Sequence, residues 1–243
     1  MATMNAADQQ QRLEALISSI SHPDLWRPVE EVEQVLTTGS IEGTGDPNTK
    51  DFLLVDVSGK EILDLGCNVG YYTYLALKRG AKHVVGEDII PESLEIARIL
   101  GEKHNCPGAE FREGSFFTRN GAQHEMVFFI DIIGNNSVRE GRAVDQFDAA
   151  VRAVGKELII SLRPVFVPER HLAGLKGAPP LEQIWEELRE TYGGEYCRGD
   201  HFYFLEWAHD RLGPGWKVNP LPDDENMAYS IRKQIFHIVR KDG

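Results

Sequence analysis

The spacing of apolar residues divides the chain into a helical beginning and an alternating remainder. Within residues 8–20 and 28–37 apolar residues recur at helical spacing, which predicts two helices, the second with Pro28 in its first turn. Residues 38–50, TTGSIEGTGDPNT, are rich in turn-forming residues and predict a linker. From residue 60 short apolar runs alternate with helical segments, which is typical of βαβ units around a parallel sheet.

The predicted elements after the linker follow one another with little spare chain. They are strand Glu61–Leu65, helix 69–79, strand Val84–Asp88, helix 91–104, strand Ala109–Arg112, strand Met126–Asp131, helix 138–153, strand Glu157–Leu162, helices 181–192 and 202–212, and strands Trp216–Leu221 and Gln234–Arg240. This order predicts an α/β fold with a Rossmann-like, doubly wound, mostly parallel sheet. We expect a helical N-terminal cap and linker over residues 1–50 and one main domain over 51–243, with 163–200 as an inserted substrate lobe.

Composition narrows the class of protein. The 243 residues include 26 basic and 38 acidic side chains, and the resulting net charge of −12 argues against a large nucleic-acid footprint. The three cysteines are far apart and form no CxxC pair, so we expect reduced thiols and neither a disulfide framework nor a metal site. The N-terminus lacks the pattern of a secretion signal, and no apolar run is long enough to cross a bilayer. The expected location is therefore the cytoplasm, away from any membrane.

A glycine-bearing turn follows the first strand of the alternating region. Gly66 has no side chain to block a ligand at the carboxyl edge of that strand, and Gly70 permits close packing of the next helix. Asn68 lies between them and tolerates left-handed backbone. The free N–H groups of the following helix start can face a carboxylate. The turn therefore predicts a ligand site.

Two aspartates define the ligand more closely. Asp88 ends the second strand, 88 − 64 = 24 residues after Asp64, and an acidic side chain there can accept both hydroxyl hydrogens of an adenosine ribose. A dinucleotide site requires G-x-G-x-x-G, but the second and third positions counted from Gly66 hold Asn68 and Tyr71. The chain also lacks a GxxxxGK[ST] phosphate loop. A sulfonium nucleoside with an amino-acid tail therefore fits better than NAD or ATP.

The stretch SGKEILDLGCNVGYYTYLALKRGAKHVVGEDIIPESLEIAR, residues 58–98, resembles the cofactor half of class I S-adenosylmethionine-dependent methyltransferases. The form G-C-N-x-G-Y-Y, with R-G-A before the second strand, is similar to the branch containing the tRNA wobble-uridine carboxymethyl-transfer enzymes. The strong resemblance covers residues 58–135, and the later strands match the family only in order. It implies S-adenosylmethionine as cofactor and S-adenosylhomocysteine as product.

The resemblance also implies roles for individual residues. Asp64 and the backbone of Gly66 would hold the methionine amino group, Asp88 the ribose hydroxyls, and Ile89 one face of the adenine. Phe116 could stack on the adenine as well. The complete implied cofactor site consists of Asp64, Gly66, Cys67, Asn68, Gly70, Tyr71, Asp88, Ile89, Ser115, Phe116 and Ile130.

Three positions depart from the family pattern. Ser115 occupies the position at which the family often has an acidic residue for the adenine amino group, and Glu87 stands where an apolar residue is usual. The middle glycine of the turn is replaced by Asn68. The Asn-Pro-Pro-Tyr signature is also absent, since residues 134–137 read Gly-Asn-Asn-Ser, and this argues against a DNA- or glutamine-methylating enzyme.

Methyl transfer from a sulfonium is an in-line displacement that needs positioning and exclusion of water, and a general base only if the acceptor keeps its proton. The predicted catalytic residues are Asp131, at the end of the fourth strand, and His201, before a predicted helix; His171 is a further candidate base. Each also has a structural interpretation: Asp131 can cap locally, and His201 adjoins Asp200, which can cap the helix. The basic residues Arg163, Arg170, Lys176 and Arg198 either bind an acidic group of the acceptor or form a solvated surface.

The leading hypothesis is a methyltransferase that acts on oxygen or nitrogen of a small-molecule acceptor. A tRNA-modifying methyl or carboxymethyl transferase is the first alternative, which the family branch prompts and the net charge of −12 opposes. A non-catalytic cofactor-binding partner subunit is the second. A nicotinamide oxidoreductase is the third, and Asn68 and Tyr71 argue against it.

Overall fold

The computed structural model describes residues 6–20, 26–39, 41, 47–121, 123–222 and 229–241. The helices are α1 (Ala6–Ser19), α2 (Val29–Thr38), α3 (Pro47–Phe52), α4 (Tyr71–Lys78), α5 (Pro91–Lys103), α6 (Asn135–Arg139), α7 (Arg142–Ala153), α8 (Pro168–His171), α9 (Leu181–Tyr192) and α10 (Phe204–Leu212). The strands are β1 (Glu61–Leu65), β2 (His83–Asp88), β3 (Ala109–Glu113), β4 (His124–Phe129), β5 (Val154–Leu162), β6 (Cys197–Arg198), β7 (His201–Phe202), β8 (Trp216–Leu221) and β9 (Gln234–Arg240).

The larger sheet has seven strands in the order β3-β2-β1-β4-β5-β9-β8, and β6 pairs with β7 in a separate hairpin. The larger sheet is mostly parallel and is flanked by helices. Strand β9 lies between β5 and β8 and runs antiparallel to both. The predicted Rossmann-like, doubly wound α/β fold is thereby confirmed.

Contacts divide the chain into two compact units. The first unit comprises Met1–Gly45, Asp56–Asn120 and His124–Met126. In it β1 and β3 both pair in parallel with β2, and Asp64 lies opposite Gly86 in the register. Helix α1 packs on α5 and α2 packs on α4, because each turns a stripe of buried apolar residues inward.

The second unit comprises Asp46–Val55, Gly121–Gln123 and Val127–Gly243. Helix α3 packs on β9, and Phe52 at its end is fully buried against Phe128, with ring centroids 5.1 Å apart. A cluster of aromatic rings joins α9 and α10, in which Tyr192 lies 4.9 Å from Phe202 and 5.1 Å from Trp207 between centroids. Within this unit, part of the predicted lobe 163–200 therefore shares its core with the segment that follows it.

Several element boundaries differ from those predicted; the fourth strand, for example, is His124–Phe129 and ends two residues before Asp131. Three of the differences have a clear physical reason. Residues 38–50 were predicted to be a linker, but the end of this segment begins α3, because Phe52 anchors that helix in the core; positions 40 and 42–46 lie outside the described residues. The predicted helix 138–153 is two helices separated at Gly141, whose φ of 73° an α-helix does not allow. Helix α10 begins at Phe204 and not at 202, because His201–Phe202 pairs with Cys197–Arg198 instead.

Over the part of the chain that the structure describes, none of the helices combines the length and the apolar character that crossing a bilayer demands.

Candidate functional site

The turn after β1 is built from three residues in the left-handed region. Gly66, Asn68 and Gly70 have φ values of 72°, 50° and 83°. The N–H groups of Gly66 and Cys67 both donate to the Glu87 carbonyl, at 2.7 and 3.1 Å, and tie the turn to the end of β2. The expectation that Asn68 adopts left-handed backbone is confirmed, and the two glycines occur where this conformation carries the smallest cost.

Gly70 is the position at which a side chain is excluded. A Cβ atom there would lie 2.9 Å from Cζ of Phe111 on β3 and 3.0 Å from Cε2 of Tyr74 on α4. The missing side chain at Gly70 therefore makes room for the rings of Phe111 and Tyr74. Gly70 directly precedes α4, so the turn leads straight into the positive end of this helix dipole.

Asp88 organises the turn from the end of β2. Its carboxylate is only 8% exposed, with Oδ2 accepting the N–H of Asn68 at 2.8 Å and Oδ1 accepting the N–H of Ile90 at 3.0 Å. Each carboxylate oxygen can accept more than one hydrogen bond, so acceptor capacity for further donors remains. Between these contacts Ile89 presents a side chain that is 64% exposed, an unusual position for a large apolar residue.

Asp64 is the most deeply buried acid of this unit's turn region. Its side chain lies beneath the turn, and Oδ2 accepts the hydroxyl of Thr73 at 2.7 Å. Burial, and to a smaller degree the negative charge of Asp88, raises the pKa of Asp64 to about 7 although the Thr73 hydrogen bond opposes the shift. The raised pKa means that this environment favours the neutral carboxyl over the carboxylate.

Cys67 and Tyr71 line the turn as packed residues. The thiol is buried and its pKa lies well above the ordinary value, chiefly through burial, so it is a poor nucleophile. The Tyr71 ring is 2% exposed and is covered by the guanidinium of Arg27, 4.7 Å from the ring centroid. Both residues are therefore packed in the core at the turn.

The segment before α2 also reaches the turn, which sequence reasoning did not predict. The backbone N–H of Trp26 donates to Oδ1 of Asn68 at 3.2 Å, and Arg27 donates to the hydroxyl of Tyr72 at 3.0 Å. The Trp26 side chain is 61% exposed beside the turn. In the sequence, this contact corresponds to Trp26 and Arg27 before Pro28, and such a pair does not by itself predict a contact with the turn.

The two departures near β2 and β3 have local explanations. Glu87 pairs with Arg119, Oε2 to Nε at 3.2 Å, and Arg119 lies 2.9 Å from Nε2 of His124. An acidic residue therefore fits this usually apolar position because an arginine meets it. Ser115 is half-buried and accepts the N–H of Phe117 at 3.3 Å, and the rings of Phe116 and Phe117 lie 4.5 Å apart.

The second unit contains the predicted catalytic aspartate. Asp131 follows Ile130, which is 5% exposed, and has a φ of 62°, a strained value for a residue other than glycine. Its N–H donates to Oγ of Ser161 at 2.7 Å, and its Oδ1 accepts from Nδ2 of Asn48 at 2.9 Å and from Nζ of Lys233 at 2.8 Å. Asn48, Ser161 and Lys233 were not predicted, because they come from three distant parts of the chain.

The two candidate histidines are held differently. His201 lies on β7 with Nδ1 2.5 Å from Oδ1 of Asp200, and its ring centroid is 6.1 Å from that of Tyr203. The interpretation of Asp200 as a helix cap is wrong, because α10 begins only at Phe204. His171, on α8, is 8% exposed and accepts the N–H of Val167 at Nδ1, at 2.9 Å. Neither histidine forms a hydrogen bond with Asp131 among the residues described.

Known proteins resemble the chain mainly over its first alternating region. Residues 56–150 match the family model described as a methyltransferase domain. The ribosomal protein L11 methyltransferase of Vibrio campbellii is 36% identical over 87 residues, which are 32% of this chain and 30% of that protein. The protein of the same name from Sodalis glossinidius is 38% identical over 87 residues, with the same coverage of 32% and 30%. The chain thus spans less than a third of the length of these curated relatives.

Among solved structures, the bifunctional kinase-methyltransferase WbdD has a TM-score of 0.56 at 16% identity, over 94% of this chain and 46% of that one. This likeness concerns the fold. The family match confirms the resemblance to class I S-adenosylmethionine-dependent methyltransferases that residues 58–98 carry.

Proposed function

Because residues 56–150 match the family model described as a methyltransferase domain, we propose that the chain transfers a methyl group from S-adenosylmethionine to oxygen or nitrogen of a small-molecule acceptor. The observation that carries the proposal is the pair of buried acids, Asp64 and Asp88, on either side of a turn with left-handed backbone at Gly66, Asn68 and Gly70.

The residues of the turn fit the charges of this cofactor. The ammonium of the methionine part needs a carboxylate, and Asp64 is an acid whose pKa of about 7 would fall once a cation lies beside it. The methionine carboxylate suits the positive end of the α4 dipole. The ribose hydroxyls suit the remaining acceptor capacity of Asp88, and the exposed Ile89 offers an apolar surface for the adenine.

When bound, the cofactor supplies an electrophilic methyl group on a sulfonium. The chain's own residues then have modest tasks, since an in-line displacement requires alignment and exclusion of water. Gly66 keeps the turn open to close approach, and Gly70 leaves room for the rings of Phe111 and Tyr74. Cys67 and Tyr71 pack at the turn, and Ser115 and Phe116 would adjoin the adenine. In this proposal Ile130 adjoins the methionine part of the cofactor.

The acceptor side is assigned to Asp131. Its carboxylate is held by Asn48 and Lys233 at 2.9 and 2.8 Å, so it can orient a donor group of the acceptor and take its proton if one must leave. The backbone strain at Asp131 supports a functional role. His201, 2.5 Å from Asp200, is the second candidate base.

A protein acceptor is the competing proposal, since the relatives at 36% and 38% identity are named for ribosomal protein L11. Those matches cover only 30% of each relative, so they give little support to a shared acceptor. The net charge of −12 opposes tRNA as the acceptor. A cytoplasmic location stays a prediction.

The experiment that tests the acceptor class uses the full chain and S-adenosylmethionine labelled on its methyl group. We expect label to appear in the low-molecular-mass fraction of a deproteinised cell extract, and not in tRNA or in purified ribosomal protein L11. Label in L11 or tRNA would contradict the small-molecule proposal. Cofactor binding without label in any fraction would favour the non-catalytic subunit, and an Asp131→Asn variant measured in parallel serves as the control for transfer.

A further inference from the structure

A cationic cluster without a counter-charge lies directly after β5. Arg163 follows the last residue of that strand, and its guanidinium lies 5.6 Å from the Phe166 ring centroid. One guanidinium nitrogen donates to the carbonyl of Ile231 and also lies 3.2 Å from Nε2 of His171. The half-buried Arg163 side chain is thus held in one place by a ring and a carbonyl, with the imidazole of His171 beside it.

The contact between Arg163 and His171 brings two donors together. The Val167 N–H donates to Nδ1 of His171 at 2.9 Å, so Nδ1 carries a lone pair and the ring proton lies on Nε2. Burial, together with the charges of Arg163 and Arg170, lowers the pKa of His171 to about 4, so the ring is neutral at pH 7. Nε2–H therefore faces a guanidinium N–H, and an acceptor oxygen is what this pair of donors lacks.

The contact between the two donors is costly because His171 is buried. Its side chain is 8% exposed, and a buried donor without an acceptor costs about 1–3 kcal/mol. The Nε atom of Arg163 is likewise buried with no hydrogen-bond partner among the described atoms. An oxygen placed beside Nε2–H would satisfy the imidazole and gain a charge-assisted hydrogen bond from Arg163.

Charge pairing at Arg163 and Arg170 differs from that at Arg198. Within the described ranges, no carboxylate oxygen lies within 4.0 Å of the guanidinium of Arg163 or of Arg170, in a chain with a net charge of −12. By contrast, Arg198 pairs with Glu206 at 2.6 Å. Burial, and to a smaller degree the charge of Arg170, lowers the pKa of the Arg163 guanidinium.

The cluster lies close along the chain to the acceptor-side residues. Ser161, which holds Asp131 through a 2.7 Å hydrogen bond from the Asp131 N–H, is two residues before Arg163. The segment that provides the Ile231 carbonyl also provides Lys233, 2.8 Å from Asp131. Strand ends of this kind are where α/β sheets bind their ligands.

We propose that Arg163 and the Nε2–H of His171 bind an oxyanion, a carboxylate or phosphate group carried by the methyl acceptor, with Arg170 adding positive charge. The assignment of this group to the acceptor rests on the proposed function. The site selects acceptors with an acidic substituent, and it leaves neutral analogues without a partner for the two buried donors.

The test is a titration of the full chain with inorganic phosphate and, separately, with acetate, followed through the ring ¹⁵N and Nε2–H resonances of His171. We expect saturable shifts with one or both probes at constant ionic strength, and a loss of affinity of about tenfold or more in Arg163→Met, since a charge-assisted hydrogen bond contributes about 1.5–3 kcal/mol. Arg198→Met is the matched control and should leave the titration unchanged. Saturation by phosphate alone would identify a phosphoryl acceptor, and saturation by acetate a carboxylate acceptor.

Two further measurements keep the outcome interpretable. His171→Gln retains a side-chain N–H donor and should bind the same probe more tightly than His171→Phe, with the fold checked by circular dichroism. No saturable shift in the wild-type chain, or equal losses in Arg163→Met and Arg198→Met, would overturn the site. Binding of S-adenosylhomocysteine should be unchanged in Arg163→Met; if the wild-type chain binds the oxyanion but not this cofactor product, the proposed function fails while the oxyanion site stands.

Discussion

Replacement of Asp64 by asparagine should stabilise the chain and impair its ligand site at the same time. The folded carboxyl has a pKa of about 7 against the ordinary 3.8, so between about pH 4 and 7 the folded state holds a proton that the unfolded state has lost. Stability therefore falls as pH rises across this range. At about 1.4 kcal/mol for each pKa unit, the ionised carboxylate destabilises the folded chain by about 4 kcal/mol above pH 7.

Asparagine has nearly the same shape and removes this cost, while its amide oxygen can still accept the Thr73 hydroxyl, now 2.7 Å from the Asp64 carboxylate. Urea unfolding at pH 8 should show Asp64→Asn to be more stable than the wild type by at least about 1 kcal/mol, with about 4 kcal/mol as the upper limit. At pH 4 the gain should vanish. Asp148→Asn, which breaks a surface ion pair with Arg211, should instead change stability by less than about 1 kcal/mol at pH 8, and by loss.

The same change should weaken S-adenosylhomocysteine binding at pH 8 by about tenfold or more, because the ligand ammonium loses its carboxylate. In the wild type the affinity should rise about tenfold between pH 6 and pH 8, as the carboxyl with a pKa of about 7 becomes ionised. A variant that is less stable than the wild type at both pH values, or that binds as tightly with the same pH dependence, would refute this account of Asp64.

Three other substitutions test the turn and its surroundings. Asp88→Ala should lower the affinity for S-adenosylhomocysteine by about tenfold or more, since two ribose hydroxyls lose a charged acceptor. Calorimetry measures the affinity and circular dichroism checks the fold. Unchanged affinity would remove Asp88 from the site. Gly70→Ala should lower the free energy of unfolding in urea by about 1–3 kcal/mol, because Gly70 has a φ of 83° and an added Cβ would lie 2.9 Å from an aromatic ring. Gly177→Ala, at a φ of 72° with open space around it, should cost less. Equal costs would contradict the packing argument. Arg119→Met should lower the free energy of unfolding by about 1–3 kcal/mol, because the carboxylate of Glu87 loses this partner. Adding Glu87→Gln should recover part of the loss. Additive effects of the two substitutions would contradict their coupling.

The sequence predicted the elements around the turn well because their signals are local. Glu61–Leu65 has the predicted bounds, and Pro91 opens α5 as expected, since a buried apolar run and a first-turn proline act through neighbouring residues. The left-handed Asn68 was predictable for the same reason. Asp64 and Asp88 were found through their spacing and their positions at strand ends.

The contacts between distant segments could not be predicted in this way. Asn48, Ser161 and Lys233 meet Asp131 only because the fold brings three separate segments together, and no pattern in any one segment indicates it. Helix α3 was missed because residues 38–50 have the composition of a linker, while burial of Phe52 decides the structure. The pairing of His201–Phe202 with Cys197–Arg198 likewise replaced the predicted helix start by a hairpin.

The most direct test of the central claim is calorimetric titration of the full chain with S-adenosylhomocysteine at pH 8, with NAD as the competing nucleotide. We expect S-adenosylhomocysteine to bind with one site per chain and NAD to give no measurable heat. The reason is that Asn68 and Tyr71 occupy positions at which a dinucleotide-binding turn has glycine. Binding of NAD without binding of S-adenosylhomocysteine would contradict it.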